Sequence, residues 1–307
     1  MISLLLINWN LKDDLDHCLK SLHEQEYRDF EAILVDNGSS DGSPEMVAEK
    51  YPWVKLIALE ENTGFCHANN VAAQAAVGDL LYVVNTDTEF PPDMLSQLAK
   101  AAEKYLDYHI FSPQMINFFD RRMVDCKGMA YLKSLRGYML DVGKQVDPHE
   151  EPFEIFCGTG GAIMMRREVY ETIGLYDESF FINNEDTDFA VRARGAGFRA
   201  LYLPQVRVFH KRSPTEKKLP DFMLYHIQRN YELAALKNIP WPLWLVHGPR
   251  HIAYSTYQLS KWAAKGKAKL VWKAKKDALK IVLKDGRRPV PVDMLWPLLG
   301  KKKVNSD

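Results

Sequence analysis

Short apolar runs alternate with amphipathic stretches over the first 105 residues of the chain. Apolar runs of strand length occupy residues 2–7, 32–35, 54–59 and 80–84. Patterns with helical spacing follow them, at residues 13–24, 44–51, 65–77 and 91–105. Runs that are apolar throughout are typical of strands buried on both faces. The alternation predicts βαβ units and an α/β fold with a mostly parallel central sheet flanked by helices.

The pattern becomes more irregular after residue 110. We predict further strands at residues 111–117, 123–126, 160–165, 199–203 and 206–209. Helices are predicted at residues 166–173, from about 185 to 195, and at 219–238. We therefore expect one domain over residues 1–238, followed by a basic helical extension over residues 239–307.

The charge of the chain is unevenly distributed. The 307 residues contain 40 Lys and Arg and 40 Asp and Glu, so the formal net charge is zero. Residues 250–303, however, hold 15 basic and three acidic residues, whereas the first 249 hold 25 and 36. The four cysteines have no CxxC or zinc-finger spacing, so we expect neither a disulfide framework nor a zinc site.

The N-terminal apolar run predicts a core strand and not a signal peptide. It is short, no basic residue precedes it and no small-residue cleavage site follows it. The chain also has no stretch of the roughly 18 apolar residues that a membrane span needs. We expect a cytoplasmic protein whose contact with the inner face of the cell membrane, if it has one, is peripheral.

Acidic residues follow the second and fourth predicted strands. Asp36 and Asn37 open a turn rich in Gly and Ser, and Asp87 and Glu89 stand just before a helix. Because ligands of such sheets bind at the carboxyl ends of parallel strands, these residues should meet at one rim.

Each of these acidic turns has two interpretations. Asp36 is suited to accept a hydrogen bond from a nucleobase or ribose, but a plain link capped by Asp41 explains the turn equally well. Asp87 and Glu89, two residues apart, would present two oxygens on one side to Mg²⁺ or Mn²⁺. Taken alone, residues 85–89 are better explained by a polar turn before the helix at Pro91, and His210 after the last strand by a structural histidine.

Three acids cluster where a helix is predicted to begin near residue 185. Glu185, Asp186 and Asp188 follow an aromatic run and face the positive end of the helix dipole, which keeps a carboxylate ionised and able to accept a proton. Helix capping and an ion pair between Asp188 and Arg192 explain one acid well but three poorly. This segment is the strongest candidate for a catalytic base.

Taken together and in this order, the segments resemble glycosyltransferase family 2, which has the GT-A fold, and within it the bacterial rhamnosyltransferase-like branch. The resemblance spans about residues 1–238. No single motif is specific, but the ordered set is. The matching segments are residues 5–10, 35–42, 62–65, 69–70, 85–87, 158–167, 174–181 and 185–188, and His210.

The resemblance implies a role for particular residues. Asp36 would bind the nucleotide base, Asp87 the metal with His210 as a probable further ligand, and Asp186 would be the catalytic base. Arg192 would support its helix or contact the diphosphate. The same resemblance extends the donor side to Asn37, Asn62, Gly64 and Asn69, and the acceptor side to Glu185 and Gly160.

The chain departs from the family pattern at two places. The second acid of the metal motif is Glu89 and not Asp, which puts its contact with the metal in question. Asn183 and Asn184 stand where relatives often carry Tyr, which affects acceptor or donor selectivity more than catalysis.

The basic extension contains an amphipathic pattern. Five lysines spaced four, three, four and four apart form one stripe on a helix: Lys269, Lys273, Lys276, Lys280 and Lys284. Apolar residues fall roughly opposite: Leu270, Val271, Ala274, Ala278, Ile281 and Val282. With the aromatic residues upstream, the pattern predicts contact with an anionic membrane surface. The alternative is a helix packed on the body of the protein, with its lysines solvated or paired with acids of the body.

We predict an inverting, Mg²⁺- or Mn²⁺-dependent glycosyltransferase. It would move a sugar from dTDP-rhamnose or a UDP-sugar to an acceptor hydroxyl in polysaccharide or lipid-linked glycan assembly. A nucleotidyltransferase is disfavoured because residues 9–12 lack the glycines of its phosphate loop. The other alternative is a protein that binds nucleic acid or anionic lipid without transferase activity. The acidic body and carboxylate clusters argue against it, and we expect no nucleic-acid partner.

Overall fold

The structure is a computed structural model, and residues 1–212 and 220–304 are described. Its strands, in chain order, are β1 (Ile2–Asn8), β2 (Phe30–Asp36), β3 (Lys55–Ala58), β4 (Leu80–Asn85), β5 (Thr88–Glu89), β6 (Ile110–Asn117), β7 (Val124–Cys126), β8 (Met129–Leu132), β9 (Arg136–Met139), β10 (Phe153–Ile155), β11 (Ala162–Arg166) and β12 (Ala200–His210).

Helices connect and cover these strands. They are α1 (Lys12–His23), α2 (Ser43–Lys50), α3 (Phe65–Ala75), α4 (Met94–Lys104), α5 (Arg167–Ile173), α6 (Glu185–Gly195), α7 (Asp221–Asn238), α8 (Trp241–Ala263), α9 (Ala268–Asp285) and α10 (Val292–Leu295). Short 3₁₀ turns lie at Glu178–Phe180 and Trp296–Leu298.

In the described part of the chain, ten strands form one sheet. Its order is β10-β12-β6-β11-β4-β1-β2-β3, with β5 paired to β12 and β7 to β6. The strands β3, β2, β1 and β4 are parallel, β12 is parallel to β6, and β11 runs antiparallel between β4 and β6. This confirms the predicted α/β fold with a mostly parallel sheet, and it brings the carboxyl ends of β1, β2, β4, β6 and β12 to one rim.

The sheet is buried on both faces, as the continuous apolar runs predict. In β1, Leu5 packs into a core that includes residues of α3 and α6, whereas Leu4 and Leu6 pack into a second core with α1 and α4. Apolar surface buried on both sides contributes roughly 25 cal/mol per Å² to stability. The rim is thereby fixed on a rigid three-layer scaffold.

The last strand differs from its prediction. Two short strands were expected at residues 199–203 and 206–209, but β12 is continuous over Ala200–His210, with a shift of register between Leu203 and Arg207. Pro204 lies in the shifted segment and has no N–H to donate to a neighbouring strand. The strand resumes its pairing after the shift and places His210 at the rim.

The basic extension packs onto the body. Helix α9 lies against α7 and α8, and it buries Val271, Ala274, Ala278 and Val282. These residues belong to the apolar face for which membrane contact is predicted from the sequence, and in the structure other helices cover them. Within the described residues, no helix is both long and apolar enough to cross a bilayer.

Candidate active site

The parallel strands β1 and β2 end side by side in a hydrogen-bonded pair of polar residues. Asn8 and Asp36 are neighbours in the register, and Asn8 Nδ2 donates to Asp36 Oδ2 at 2.9 Å. The N–H of Ser39 donates to Asp36 Oδ1 at 2.8 Å. Asp36 is almost fully buried. Its carboxylate is therefore held in one orientation at the rim, and each oxygen retains a lone pair for a further donor.

Asn37 joins two loops of the rim. Its Nδ2 donates to Asn62 Oδ1 at 3.1 Å and to the carbonyl of Gly64 at 3.2 Å, and its Oδ1 accepts the N–H of Thr63 at 2.9 Å. Asn62 Oδ1 also accepts the N–H of Gly64 at 3.0 Å. Asn37 and Asn62, both predicted on the donor side, thus fix the loop that leads into α3.

Gly64 allows that loop to approach the segment before α6. Its φ is +90°, and a Cβ there would lie 2.5 Å from the ring of Phe181. The next residue but one, Cys66, donates its N–H to the carbonyl of Phe181 at 3.1 Å. Asn69 is buried on α3, and its Nδ2 donates to the carbonyl of Phe65 at 2.9 Å. Gly64 therefore allows the close approach of the two loops, whereas the hydrogen bond of Asn69 lies within the first turns of α3, beside the predicted donor side.

Asp87 and His210 meet at the rim although they are 123 positions apart in the sequence. Asp87 Oδ1 lies 3.2 Å from His210 Nε2, and Asp125 Oδ2 lies 2.9 Å from His210 Nδ1. Arg212 pairs with the same Asp125. All three members of the Asp87–His210–Asp125 chain are largely buried. Burial alone would lower the pKa of His210, but hydrogen bonds to Asp125 and Asp87 outweigh it and raise the pKa to about 9.

Glu89 is directed to other partners. Its carboxylate accepts hydrogen bonds from His17 Nε2 and from Arg121 Nη2, both at 2.7 Å. Burial opposes these partners, yet together they lower the pKa of Glu89. The expectation that Asp87 and Glu89 present their oxygens to one cation gains no support from this geometry, because an arginine already neutralises Glu89.

The donor set at the rim fits a cation that is shared with a substrate. The described residues contain no group of three His, Cys, Asp or Glu side chains arranged around a metal position. Mg²⁺ and Mn²⁺ commonly take one or two protein ligands and complete their spheres with phosphate oxygens and water. Asp87 Oδ1 and His210 Nε2, 3.2 Å apart, are suitable protein ligands of that kind.

Two glycines connect this pair to the acids at α6. The N–H of Gly160 donates to Asp186 Oδ2 at 3.3 Å, and the carbonyl of Gly161 accepts the N–H of Asn85 at 3.1 Å. Asn85 Nδ2 in turn lies 3.5 Å from His210 Nε2. The predicted acceptor-side Gly160 therefore stands between Asp186 and the Asp87–His210 pair, and backbone contacts link the two groups of acids.

Glu185 and Asp186 open α6 and share an environment that favours their neutral forms. Burial raises the pKa of Glu185 to about 8, and the negative charge of Asp186 adds to the shift. Burial also raises the pKa of Asp186, although the N–H of Gly160 opposes the shift. Glu185 Oε2 is buried and has no hydrogen-bond partner among the residues described.

The loop before α6 is instead held from α7. Phe181, Asn183 and Asn184 have φ values of 64°, 68° and 61°, a left-handed backbone conformation that residues other than glycine rarely adopt. Asn230 Nδ2 donates to the carbonyls of Phe180, Ile182 and Asn183 at 2.7–2.8 Å. Arg229 Nη2 donates to those of Ser179 and Phe180 at 2.9 and 2.7 Å. Such strained backbone persists only where the surroundings hold it.

Arg192 has the first of its two expected roles. The predicted pair with Asp188 is confirmed, with Arg192 Nε donating to Asp188 Oδ2 at 2.7 Å. The other nitrogens of the guanidinium donate to the carbonyls of Ile173 and Leu175 at 2.7 and 2.6 Å. Asn238 on α7 donates to the second oxygen of Asp188 at 2.6 Å. The guanidinium is therefore occupied in bracing α6, and its contacts do not direct it to a diphosphate.

Three residues of this site were missed from the sequence: Asn8, Asp125 and Asn230. Asn8 ends the first apolar run, so its position at a strand end was a usable signal. Asp125 lies inside a short strand, and Asn230 lies in the middle of a helix. Only the folded chain brings them to His210 and to the loop before α6, so the pattern around them carried no such signal.

A sequence model of glycosyl transferase family 2 matches residues 3–174, more than half of the chain. The chain belongs to glycosyl transferase family 2. The predicted family and the predicted enzyme class, a family 2 glycosyltransferase, are thereby confirmed. The alternative of a binding protein without transferase activity is correspondingly disfavoured. The match includes Asp36 and Asp87 but ends before Asp186.

Named relatives agree with this assignment. The N-acetylglucosaminyl-diphospho-decaprenol L-rhamnosyltransferase of Mycobacterium tuberculosis is 26% identical over 265 residues, which cover 76% of this chain and 85% of that protein. Among solved structures, residues 1–349 of TarS from S. aureus align with a TM-score of 0.54 and 18% identity. That alignment covers 76% of this chain and 65% of TarS 1–349.

The mannosyltransferase PcManGT from Pyrobaculum calidifontis, in complex with GDP-Man and Mn²⁺, aligns with a TM-score of 0.57 and 18% identity, over 94% of this chain and 76% of PcManGT. At such identities the solved structures are evidence of fold, and they confirm the GT-A architecture.

Proposed function

We propose that this glycosyltransferase moves a sugar from a nucleoside diphosphate donor to an acceptor hydroxyl, with inversion at the anomeric carbon. One observation carries the proposal. Three polar groups from distant parts of the chain converge on one rim of the sheet: Asp36, the Asp87–His210 pair, and Asp186. These groups correspond to the three tasks of the reaction, which are binding the nucleoside, binding the diphosphate and activating the acceptor.

Asp186 is the proposed general base. An acceptor hydroxyl is a poor nucleophile at neutral pH and needs a group that takes its proton as the new bond forms. A carboxylate whose pKa is raised by burial is a stronger base than an exposed one, and Asp186 has this property. Burial and the negative charge of Asp186 raise the pKa of its neighbour Glu185, which favours the neutral form of Glu185 and a single negative charge in the pair.

Asp87 and His210 are the proposed protein ligands of Mg²⁺ or Mn²⁺. A bound cation would neutralise charge on the departing nucleoside diphosphate. His210 must then present an unprotonated Nε2, and Asp125 supports this tautomer because its Oδ2, at 2.9 Å, can accept a hydrogen bond from Nδ1–H. PcManGT has been solved in complex with GDP-Man and Mn²⁺, which supports the binding of a nucleoside diphosphate sugar together with a divalent cation.

The donor-side proposal places the nucleoside at Asp36. The carboxylate is oriented by Asn8 and Ser39 and stands at the end of a parallel strand, where sheets of this class bind ligands. Asn37, Asn62, Gly64 and Asn69 would shape this side through the loop contacts described above. dTDP-rhamnose is the first donor to test, because the M. tuberculosis relative is named an L-rhamnosyltransferase. UDP-sugars come second, because TarS has been crystallised with UDP-GlcNAc.

The proposed acceptor is a glycan carried on a polyprenyl diphosphate lipid. The name of the M. tuberculosis relative specifies N-acetylglucosaminyl-diphospho-decaprenol as its acceptor. An enzyme with a lipid-linked acceptor has to work at a membrane surface, and the basic C-terminal helices suit such a location on the cytoplasmic face.

A thermal-shift screen of nucleotide sugars, with and without Mn²⁺, tests the proposal. A ligand at 100 times its Kd stabilises the protein by about 2.7 kcal/mol, a readily measured rise in melting temperature. We expect one nucleotide class to raise it, and to do so more strongly with Mn²⁺. Transfer of radiolabelled sugar from that donor to a polyprenyl diphosphate N-acetylglucosamine acceptor is the second step. The proposal fails if none of the nucleotide sugars stabilises the protein with the metal present.

A further inference from the structure

Helices α8 and α9 expose an unusual amount of apolar surface. Large exposed apolar patches on a protein commonly mark binding sites. Six Trp, Leu and Ile side chains on these helices are at least half exposed: Trp241, Leu245, Ile252, Trp272, Leu279 and Leu283. None of the six belongs to the apolar face of α9 for which membrane contact is predicted from the sequence. That face packs against α7.

The six side chains form one stripe on each helix. On α8 the spacing from Trp241 to Leu245 to Ile252 is four and seven residues, and on α9 the spacing from Trp272 to Leu279 to Leu283 is seven and four. Residues separated by four or seven positions lie on the same face of a helix.

The two stripes adjoin because α8 and α9 pack side by side in opposite directions. The guanidinium of Arg287, just past the end of α9, lies 4.4 Å from the ring centroid of Trp241 at the start of α8. Nearer the other ends, Lys275 Nζ lies 2.7 Å from Ser255 Oγ. On the α9 helical wheel, Lys275 falls between the buried face and the Trp272 stripe. The Trp272 stripe is thus the one beside α8, and we refer to the six residues together as the apolar seam.

The apolar seam is bordered by positive charge. Residues 241–284 contain ten Lys and Arg and a single acid, Asp277. Lys276 lies four residues after Trp272 and is therefore on the same face. Three exposed lysines of α9 have no acidic partner among the described residues: Lys269, Lys276 and Lys284. Their charges remain available to an anionic partner.

We propose that the apolar seam is the surface by which the enzyme docks on an anionic lipid bilayer. Exposed Trp and Leu side chains enter the boundary between headgroups and acyl chains, while the bordering lysines pair with anionic headgroups. A nucleic acid would match the lysines but not the aliphatic side chains between them. The biological reason for docking rests on the proposed function, in which the acceptor is carried on a lipid. Vesicle binding itself can be measured independently of any acceptor.

The position of the seam suits delivery of such an acceptor. At the Trp272 end, Lys273 Nζ lies 4.6 Å from the ring centroid of Tyr225 on α7. The next residue of α7, His226, stacks on Phe181 of the loop before α6 with a centroid distance of 5.3 Å. One helix thus separates the proposed membrane surface from the loop that leads to Asp186.

Flotation of the full-length protein with vesicles tests the proposal. Vesicles of phosphatidylglycerol and phosphatidylcholine would be compared with phosphatidylcholine alone, at low and high salt. Two variants address the two components of the surface: Leu279→Ser with Leu283→Ser, and Lys269→Gln with Lys276→Gln and Lys284→Gln. The matched apolar control is Val77→Ser with Leu106→Ser, at positions that are 70% and 72% exposed and distant from the seam in sequence. The matched charge control is Lys20→Gln with Lys100→Gln, both exposed.

We expect the wild type to float with anionic vesicles and both controls to do the same. A lysine near an anionic surface contributes about fivefold in affinity, so the three Lys→Gln changes should weaken binding by roughly a hundredfold and reduce its salt dependence. The two Leu→Ser changes should weaken it by at least about tenfold at both salt concentrations.

Two outcomes would overturn the proposal. One is a wild type that stays unbound at low salt, or seam variants that bind as the controls do. The other is a wild type that does not bind vesicles but dimerises through the seam, which sedimentation of the same variants would reveal. Transfer to a water-soluble acceptor should be unchanged in the seam variants. Absence of this transfer activity in the wild type would count against the proposed function, and not against the docking surface.

Discussion

At the scale of single residues, the adjacent acids Glu185 and Asp186 have different environments. Glu185 Oε2 has no hydrogen-bond partner in the described structure, and burial raises its pKa to about 8. Asp186 accepts the N–H of Gly160, a bond that favours the charged form. Titrations of such close acids belong to the pair. In the singly ionised pair we therefore expect the charge on Asp186, which is the state a general base needs.

The Asp186→Asn variant should keep the fold and the donor affinity but lose transfer activity. Loss of a general base typically lowers the rate by about 10²–10⁴-fold. Glu185→Gln is the matched control, because glutamine mimics a protonated glutamate, and it should retain most of the activity at pH 7. Donor affinity by calorimetry and turnover would be measured on the same preparations. Near-normal turnover of Asp186→Asn would exclude Asp186 as the base, and loss of donor binding would make it a binding or structural residue.

Asp87 and Glu89 provide a second matched comparison. Asp87→Ala should abolish the enhancement by Mn²⁺ of nucleoside diphosphate binding, because it removes the carboxylate beside His210. Glu89→Gln should keep that enhancement, because Glu89 is occupied by His17 and Arg121. Isothermal titration of each variant with and without Mn²⁺ distinguishes them. Unchanged metal dependence in Asp87→Ala would remove Asp87 from the proposed site. Loss of metal dependence in Glu89→Gln would instead support the prediction from the sequence that Glu89 also binds the cation.

At the scale of secondary structure elements, α7 acts as a support for the catalytic loop. The fully buried Asn230 satisfies three carbonyls of a segment with left-handed residues on either side of Ile182. Removing a partner from buried polar groups costs about 1–3 kcal/mol and frees the segment to relax. Because α6 begins directly after this segment, relaxation would misplace Asp186.

Asn230→Ala should therefore lower kcat more than it weakens donor binding. The control is Tyr225→Phe on the same helix, which removes a 2.8 Å hydrogen bond to Asp277 on α9 and leaves the three hydrogen bonds from Asn230 to the catalytic loop in place. Steady-state kinetics and urea denaturation of both variants separate a local effect from general destabilisation. If the two variants lose stability equally and keep the same kcat, Asn230 has no positioning role.

The elements differ in how far the sequence predicts them. Strands such as β1 and β4 are buried on both faces, so their sequences are short continuous apolar runs, and such runs predict a buried strand. The hairpin of β8 and β9 was not predicted, because Arg136–Met139 is mostly exposed or half-buried and shows no apolar run. In β12, two short strands were predicted on either side of Pro204, and the sheet instead continues past the proline with a shift of register.

The site shows the same limit. Strand ends are readable, so Asp36 and Asp87 could be placed at one rim from the sequence, whereas His210 was joined to Asp87 only through the family resemblance. The direction of a side chain is set by tertiary neighbours, as Glu89 and Arg192 illustrate. On α9, both sides of the helix carry apolar residues, and the sequence does not say which side α7 will cover. Val271 and Ala274 are small enough to pack closely there, and Trp272 and Leu279 remain outside.

At the scale of the whole molecule, one buried carboxylate joins helices α7, α8 and α9. Glu232 on α7 accepts hydrogen bonds from His251 Nε2 at 2.7 Å and from Ser255 Oγ at 2.5 Å, both on α8, and it pairs with Lys275 on α9. Burial opposes ionisation, but hydrogen bonds and charges from His251 and Lys275 prevail and lower the pKa of Glu232 to about 2. Through this residue the basic extension is tied to the helix that supports the catalytic loop.

The lowered pKa fixes the sign of the pH dependence. The unfolded chain would ionise this carboxyl near 4.5 and the folded chain near 2. Its stabilising contribution is therefore fully present above about pH 4.5 and is lost as the pH falls towards 2. A pKa difference of this size corresponds to roughly 3 kcal/mol at neutral pH.

Glu232→Gln should lower the free energy of unfolding by about 3–5 kcal/mol at pH 7, because it leaves Lys275 and His251 without their acid. The difference in free energy of unfolding between wild type and variant should become smaller as the pH falls from 4.5 to 2. The other carboxylates titrate in both proteins, so their contributions cancel in this difference. Asp277→Asn is the control. The pKa of Asp277 is also about 2, but its partners Lys273 and Lys280 are exposed, so solvent screening limits its contribution to about 1 kcal/mol or less. Urea denaturation across this pH range measures both. If Glu232→Gln costs no more than Asp277→Asn, the extension is held by the apolar contacts of Val271 and its neighbours, and the buried carboxylate is incidental to its attachment.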